Sequence, residues 1–166
     1  MGGTLRFGLV VTSDRVSRGL ASDKITPMVR RLLSEAGHVL AYAAVAPNSV
    51  PVIRRRILEA AARSDVVLVT GGTGPGPRDV SVEAARLVAR KELPGLGLLL
   101  VERSRRTVGD KALLSRTSAF VVGESLVMVT PGSPDAVEIA VDILLEHAGH
   151  VVNAVRGASR WEKGCA

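Results

Sequence analysis

The amino-acid sequence predicts an α/β fold: a three-layer sandwich in which a mostly parallel sheet is flanked by helices, with one short hairpin. Short apolar runs typical of buried strands alternate along the chain with segments of helical periodicity. This alternation favours a parallel sheet covered by helices on both faces. The chain has 166 residues, of which 46% are hydrophobic and 2% aromatic, so it is long enough for one domain with a largely aliphatic core.

Apolar runs place the predicted strands at residues 5–11, 39–45, 65–69, 120–122 and 126–129. The last two strands form the hairpin, because the turn residues Gly123-Glu124-Ser125 separate them. Helical periodicity, capping residues and prolines place the helix starts at Thr26-Pro27, Ser49, Ser81, Leu96 and Ser133-Pro134. The final helix is expected to reach about Glu146. We therefore expect a single domain over residues 1–156 and a loosely ordered tail over residues 157–166.

Polar segments follow the predicted strands at residues 12–14, 47–49, 70–79 and 131–134. In open parallel sheets, ligands bind beyond the carboxyl ends of the strands. If the sheet is parallel, these segments meet at one edge, and the sequence predicts a single site there. Ser13 and Asp14 also fit a turn that bonds its own backbone. Ser133 also fits a helix cap, although amides at that helix start could equally hold an anionic group.

The segment at residues 70–79, TGGTGPGPRD, is the strongest functional signal. Glycine adopts backbone conformations forbidden to other residues and lets a ligand approach closely, so successive N–H groups can cradle phosphate oxygens. The candidate phosphate-binding residues are Thr70, Gly71, Gly72, Thr73 and Gly74. The segment is neither a Walker A motif nor a dinucleotide-binding motif, because the Gly-Lys-Ser/Thr and the third glycine are missing. The alternative is a tight strand-to-helix turn without a ligand.

Arg78 and Asp79 end this segment with opposite charges. Asp79 cannot usefully contact a bare phosphate, because both groups are anions. We therefore expect Asp79 to bind Mg²⁺, which prefers one or two carboxylates together with phosphate oxygens. Arg78 could stabilise phosphate charge. The residues alone thus predict a site for a phosphorylated ligand with Asp79 as its key acid.

Composition argues against several classes of partner and site. The net charge is +6, but the arginines at residues 54–56 and 103–106 are typical of solvated faces, and few aromatic side chains are available to stack on bases. We therefore predict no nucleic-acid partner. Cys165 is a single cysteine, so neither a disulfide framework nor zinc-ligand spacing is expected. Neither a signal peptide nor a membrane-spanning run is recognisable, so we predict no membrane contact and a cytoplasmic location.

Several motifs in a fixed order carry a resemblance to a known family. They are residues 11–15 (VTSDR), 70–81 (TGGTGPGPRDVS), 92–95 (ELPG), 114–116 (LSR) and 131–134 (PGSP). Together they resemble the molybdopterin-binding, molybdopterin adenylyltransferase family, the MogA/MoaB-like proteins of molybdenum cofactor biosynthesis. The resemblance extends from about residue 5 to residue 150, almost the whole chain.

The resemblance implies a reaction and an assembly. Mg-ATP transfers its AMP to the terminal phosphate of molybdopterin, pyrophosphate is released, and the pterin is prepared for insertion of molybdenum or tungsten. ATP and molybdopterin are then substrates, and Mg²⁺ is the cofactor. The resemblance also implies a homo-oligomer, either a trimer or a hexamer, and a molybdenum-insertion protein as a partner.

Individual residues match the family's site. Asp79 matches the acid after the glycine loop, and residues 71–74 match the nucleotide and phosphate loop. Asp14, which follows Ser13, matches the acid after the first strand. The residues that match pterin-side positions are Ser115, Gly132 and Ser133.

The chain departs from the family pattern at Asn48. Many members carry Pro-Asp after the second strand, and the resemblance makes that Asp a second catalytic acid. Asn48 carries no charge, so it is a poorer Mg²⁺ ligand and no base. One alternative to an active adenylyltransferase is therefore a molybdopterin-binding protein with weak or lost catalysis. A separate alternative, independent of Asn48, is an oligomeric scaffold without a small ligand. Lys111 also departs from the pattern, and it faces either the phosphates or solvent.

Overall fold

The computed structural model describes residues 3–157. Its strands are β1 (Arg6–Thr12), β2 (Val39–Ala46), β3 (Val66–Thr70), β4 (Lys91–Leu93), β5 (Ser118–Val122) and β6 (Ser125–Thr130). They form a six-stranded sheet with the order β2-β1-β3-β6-β5-β4. β1 is parallel to β2 and β3, and β3 is parallel to β6, whereas β5 is antiparallel to both β6 and β4. The predicted mostly parallel sheet and the predicted hairpin are both confirmed.

The helices cover the two faces of the sheet. They are α1 (Asp14–Ser17), α2 (Ile25–Glu35), α3 (Val50–Ala61), α4 (Ser81–Arg86), α5 (Pro94–Val108) and α6 (Pro134–Val155). A 3-10 helix, Gly109–Leu114, follows α5. Side chains of α2, α5 and α6 pack on one face, and those of α3 and α4 pack on the other, as expected for three layers. Across residues 3–157, the length and hydrophobicity needed to cross a membrane occur together in no helix.

Successive residues of the central strands face two different cores. In β3, Val66 and Leu68 belong to the core under α2, α5 and α6, whereas Val67 and Val69 belong to the core under α3 and α4. These four side chains are at most 1% exposed. Burial of each stabilises the fold by about 1.5–3 kcal/mol. A continuous apolar run therefore marks this strand, as expected where both faces of a sheet are covered.

The chain leaves β1 and β3 toward opposite faces of the sheet. β1 leads to α2 on one face, whereas β3 leads to α4 on the other. Such a reversal between adjacent parallel strands opens a crevice beyond their carboxyl ends, where ligands bind in open α/β sheets. Thr12 ends β1 and Thr70 ends β3, so this crevice lies where the glycine loop begins.

Two predicted helix caps differ from expectation. Val80, rather than Ser81, occupies the N-cap position of α4. The Ser81 hydroxyl is instead buried and lies 3.2 Å from Thr12 Oγ1. Ser49 does occupy the N-cap position of α3, but its side chain makes no capping hydrogen bond. At Ser81, the serine hydroxyl therefore links α4 to the end of β1.

The last helix is longer than expected. It continues to Val155, whereas the sequence indicated an end near Glu146. Its buried positions recur at helical spacing through Val141, Leu144, Ala148 and Val152. Burial of these side chains outweighs the helix cost of Gly149, which is about 1 kcal/mol. The predicted tail over residues 157–166 lies outside the described residues, apart from Gly157.

Candidate functional site

The polar segments that follow β1, β2, β3 and β6 meet at one edge of the sheet. Asn48 N donates a hydrogen bond to Asp14 Oδ1 at 2.9 Å, which joins the segments after β1 and β2. Gly71 N donates to Thr130 O at 2.8 Å, which joins the segments after β3 and β6. Arg78 Nη2 donates to Asp14 Oδ2 at 2.7 Å and connects the two pairs. The convergence that the sequence predicts is therefore present.

The first two loop glycines are required by the backbone and by close packing. Gly71 has φ +90°, and a Cβ at this position would lie 2.5 Å from Thr12 O. Gly72 has φ +68°, and its Cβ would lie 2.5 Å from Ser81 Oγ. Other residues rarely adopt positive φ, and distances this short cannot accommodate a side chain. Glycine here lets the loop turn tightly over the end of β1.

The loop carries backbone donors that the fold leaves unused. Among the hydrogen bonds of the described residues, none is donated by the amides of Gly72, Thr73 or Gly74. Successive N–H groups of this kind form a concavity that binds anions. The geometry is therefore suited to phosphate oxygens, as the glycine pattern predicts.

Asp79 packs directly against this loop. Its Oδ2 accepts a hydrogen bond from Gly76 N at 3.0 Å, and a Cβ on Gly74 would lie 2.7 Å from the same oxygen. Its backbone N donates to Gly76 O at 3.1 Å. Within residues 3–157, Oδ1 of Asp79 accepts no hydrogen bond. One carboxylate oxygen is therefore available to a cation beside the loop.

Asp14 is more fully engaged than Asp79. Arg78 donates to its Oδ2 from Nη2 at 2.7 Å and from Nε at 3.2 Å. These bonds, together with that from the Asn48 backbone, lower the pKa of Asp14 to about 2. Asp14 is therefore ionised at neutral pH, and both of its oxygens already accept hydrogen bonds. In this arrangement Arg78 is held by a carboxylate rather than directed at a ligand.

Asn48 faces the glycine loop with an unsatisfied oxygen. Its Oδ1 is buried and has no hydrogen-bond partner among the described residues. A Cβ on Gly72 would lie 3.3 Å from that oxygen. An unpaired buried acceptor costs about 1–3 kcal/mol, so it requires an explanation such as a functional role. Asn48 Oδ1 lies next to the glycine loop, whose free N–H groups could donate hydrogen bonds to phosphate oxygens.

Two cavities open at this edge. The larger has a volume of about 440 Å³ and lies between the glycine loop, the 3-10 helix and the helices α5 and α6. The predicted site residues that line it are Gly72, Thr73, Gly74, Asp79, Ser115, Gly132 and Ser133. The smaller has a volume of about 320 Å³, and the predicted site residues that line it are Ser13, Thr70 and Gly132. Gly71, Asn48, Asp14 and Arg78 line neither cavity.

The two serines predicted to lie on the pterin side, Ser115 and Ser133, also bond to the structure around them. Ser115 Oγ donates to Thr73 Oγ1 at 3.1 Å, which fixes the end of the 3-10 helix against the loop. Ser133 occupies the N-cap position of α6, and its Oγ accepts a hydrogen bond from Ala136 N at 3.4 Å. The helix-cap reading of Ser133 is thus correct, and the same side chain lines the larger cavity.

Comparison with known proteins assigns the family. Residues 8–150 match the family described as "Probable molybdopterin binding domain". The chain belongs to this family. The molybdenum cofactor biosynthesis protein B of Bacillus subtilis is 33% identical over 156 residues, covering 92% of this chain and 91% of that protein. The molybdopterin adenylyltransferase of Haemophilus influenzae is 34% identical over 154 residues, covering 89% and 77% respectively.

Solved structures of the molybdopterin-binding family share this fold. The crystal structure of a molybdenum cofactor biosynthesis protein B has a TM-score of 0.86 at 30% identity and covers 95% of this chain and 99% of its own. The tungsten cofactor synthesizing protein MoaB of Pyrococcus furiosus has a TM-score of 0.84 at 30% identity and covers 94% and 99%. The six-stranded sheet and its flanking helices are thus those of the family.

Sequence reasoning singled out Lys111 but missed the contact between Arg116 and Glu83 at this edge of the sheet. Lys111 is exposed and also lines the larger cavity. Arg116 donates to backbone carbonyls of the glycine loop, and Glu83 forms an ion pair with Arg116. The LSR motif that ends at Arg116 was a signal for this contact, but it gave no indication of which loop the arginine reaches.

Proposed function

We propose that this protein acts in molybdenum or tungsten cofactor biosynthesis as an adenylyltransferase that uses molybdopterin and Mg-ATP. An oxygen of the molybdopterin phosphate attacks the α-phosphorus of ATP, the bond to the β-phosphate breaks, and pyrophosphate leaves. The observation that carries the proposal is the row of free amides at Gly72, Thr73 and Gly74 beside the Asp79 carboxylate. Relatives named molybdopterin adenylyltransferase support the reaction class.

The role of each loop residue follows from the negative charge of the phosphates that it would bind. Bringing two phosphates together concentrates negative charge, so positioning and neutralisation do most of the work in phosphoryl-type transfer. The loop amides donate to ATP phosphate oxygens, and Thr70 and Thr73 add hydroxyl groups near them. Arg78 is paired with Asp14, and it would exchange that partner for a phosphate oxygen when ATP binds. Together these donors hold the triphosphate in place for attack.

Asp79 is the candidate Mg²⁺ ligand. Within residues 3–157, no cluster of three or more histidine, cysteine or acidic side chains is suited to hold a metal. This fits Mg²⁺ that arrives with ATP, because Mg²⁺ often uses one or two carboxylates plus phosphate oxygens. The unengaged Oδ1 of Asp79 supplies such an oxygen. When bound, Mg²⁺ neutralises developing charge on the leaving pyrophosphate.

The larger cavity is the candidate pterin side. Ser115, Ser133 and Gly132 line it on the loop side, and Lys111 adds a cation. Its other wall is apolar and is formed by residues such as Leu100 and Ile139. A mixed wall of this kind suits a flat heterocycle that carries a terminal phosphate. The cavity and the loop meet at Gly72, so both substrates would share one edge.

The adenylylation assay tests this function. Purified protein incubated with molybdopterin and Mg-ATP should release pyrophosphate and form the adenylylated pterin. Asp79→Ala should abolish turnover, whereas Asp142→Ala, an exposed acid on α6, should leave it unchanged. Absence of both products with the unmodified protein would refute the proposed reaction.

The second candidate is a molybdopterin-binding protein with weak or lost catalysis. The buried, unpaired Oδ1 of Asn48 favours it, because the position beside the loop lacks the negative charge of a carboxylate. Saturable binding of molybdopterin without pyrophosphate release would identify this function. Saturable binding of either substrate would also exclude a scaffold without a small ligand.

We also propose that the protein forms a trimer or a hexamer in the cytoplasm and passes its product to a molybdenum-insertion protein. Large apolar side chains near the 3-10 helix are exposed and would be covered by such assembly: Leu98, Val108, Leu113 and Leu114. Sedimentation-equilibrium measurement of the mass should give three or six times 17.4 kDa. A monomer at micromolar concentration would contradict this proposal.

A further inference from the structure

Arg116 donates hydrogen bonds to backbone carbonyls near both ends of the glycine loop. Its backbone N donates to Thr73 O at 2.9 Å, and its Nε donates to Gly74 O at 3.0 Å. Its Nη2 donates to Asp79 O at 3.0 Å. One residue outside the loop therefore bonds to the loop's first turn and to the backbone of its acid.

The bond to Thr73 O determines which way the next amide of the loop, that of Gly74, points. In a trans peptide the C=O and the following N–H lie on opposite sides, and the described residues contain no cis peptide. Fixing Thr73 O toward Arg116 therefore directs Gly74 N–H away from it. The amides of Gly72 and Thr73 remain free as well. Thr73 O and Gly74 O therefore face Arg116, Gly72 O faces Ser81 N, and the amides of residues 72–74 are left for an anion.

Glu83 fixes the guanidinium of Arg116. Both terminal nitrogens of Arg116 contact the Glu83 carboxylate, and the Nη2 to Oε2 distance is 3.3 Å. Glu83 lies in the first turn of α4, and Arg116 follows the 3-10 helix. The planar guanidinium can serve two carbonyls and a carboxylate at once, which a lysine ammonium cannot do with the same geometry. Arg116 is 37% exposed at its side chain and does not line either cavity.

We propose that Arg116, oriented by Glu83, is a positioning residue that holds the glycine loop in its phosphate-binding conformation. The inference rests on the proposed function, because it assigns the free amides to the phosphates of ATP. Arg116 touches neither substrate. It acts through the carbonyls of Thr73, Gly74 and Asp79, and so it positions both the phosphate donors and the acid.

The test compares Arg116→Lys with the unmodified protein. Lysine retains the positive charge but lacks the planar guanidinium that bonds several acceptors at once. The KM for ATP should therefore rise by roughly tenfold, an effect of the size seen for residues that orient metal ligands. The value of kcat should change less, because the loop holds the triphosphate before and during transfer. Glu83→Gln, which removes the charge at nearly constant shape, should shift KM in the same direction by a smaller factor.

A second readout is independent of catalysis. Backbone 15N relaxation of the free protein should give order parameters near 0.85 for the loop amides of residues 72–74, 76, 78 and 79, and Arg116→Lys should lower them to below about 0.6. The matched control is Arg86→Lys. Arg86 forms a comparable two-nitrogen pair with Glu92 at 3.2 and 2.9 Å, and among the described residues it donates no hydrogen bond to the loop. It should change neither KM nor loop order.

The outcomes separate this inference from the proposed function. Lower loop order together with a raised KM for ATP supports the inference. Unchanged loop order in Arg116→Lys overturns it, whatever the activity. If the unmodified protein binds ATP but releases no pyrophosphate, and Arg116→Lys weakens ATP binding with loss of loop order, the reaction is refuted and the positioning role is supported. If the unmodified protein does not bind ATP, both are refuted.

Discussion

At the residue scale, Asn48 has the position predicted for a catalytic acid but a neutral side chain. It lies at the convergent edge, its backbone N donates to Asp14, and its side-chain oxygen is buried without a partner. An aspartate has nearly the same shape and would add a negative charge beside the loop. Because Asp14 already carries a charge there, a second carboxylate would be stabilised by a bound divalent cation.

We therefore expect Asn48→Asp to raise kcat for adenylyl transfer about tenfold or more, which corresponds to about 1.4 kcal/mol of the activation barrier. Pyrophosphate release at saturating Mg-ATP and molybdopterin measures it. Asn153→Asp, on an exposed part of α6, is the matched control for added charge and should have no effect. An unchanged rate in Asn48→Asp would show that an active protein needs no carboxylate here.

At the scale of single residues, the sequence predicted site residues that lie close together along the chain, and it missed pairs that lie far apart. The glycines and Asp79 lie within ten consecutive residues, 70–79, so their spacing already indicates a phosphate loop with an acid. The contact between Arg116 and Glu83 joins residues 33 positions apart and forms through tertiary packing. No single-sequence pattern encodes such a pair. The pairing of Arg78 with Asp14, across 64 positions, was missed for the same reason.

At the scale of elements, α5 lies against the start of β5 at a single glycine. A Cβ on Gly97 would lie 2.3 Å from Thr117 O and 2.9 Å from Ser118 Cα. The helix therefore reaches the sheet backbone without an intervening side chain. α5 also forms a wall of the larger cavity through Leu100 and Ser104, so this contact helps to position that wall.

Gly97→Ala should lower the free energy of unfolding by about 3 kcal/mol, because an added methyl group in a tightly packed contact forces backbone shifts. Urea denaturation measures the change. Gly95→Ala in the first turn of the same helix is the control, because a Cβ there has nothing within 4 Å. It should be neutral or slightly stabilising, since alanine favours helix. Equal effects of the two changes would contradict the close contact.

Strands marked by a continuous apolar run were predictable from the sequence, and the short strand β4 was not. The apolar runs of β1, β3 and β6 each contain several buried aliphatic residues, which suffices to recognise a strand. β4 has three residues, Lys91–Leu93, and two of them are exposed, so it carries no such pattern. It is a strand because it pairs with β5. A strand that forms only by pairing with its neighbour leaves no pattern in its own residues from which it could be predicted.

At the scale of the whole molecule, Asp65 joins three elements at the end of the sheet opposite the site. Its carboxylate accepts from Arg6 N at 2.7 Å in β1 and from Arg156 Nη2 at 2.7 Å just after α6. Burial by itself raises the pKa of Asp65, but the hydrogen bonds from Arg156 and Arg6 outweigh it and hold the pKa below its ordinary value of 3.8. The side chain is 8% exposed.

Asp65→Asn should lower the free energy of unfolding by about 2 kcal/mol at neutral pH, since hydrogen bonds to a buried charge are lost. Because the pKa of Asp65 is lower in the folded state than in the unfolded state, its ionised carboxylate stabilises the fold at pH values above 3.8. This stabilisation is lost as the pH falls through the pKa of the folded state. Urea denaturation at pH 7 and pH 3 should therefore show a smaller difference between the two proteins at pH 3. Asp110→Asn, in an exposed pair with Arg105, should cost less than about 0.5 kcal/mol. A difference that is independent of pH would contradict this role of Asp65.

The strand order has a consequence for newly made chains. β3 lies between β1 and β6, but β6 is synthesised more than fifty residues after β3. While residues 71–124 leave the ribosome, one edge of a strand that is apolar on both faces has no partner. Open apolar edges pair readily with other chains. The nascent chain, rather than the finished molecule, is therefore the species most in need of a chaperone.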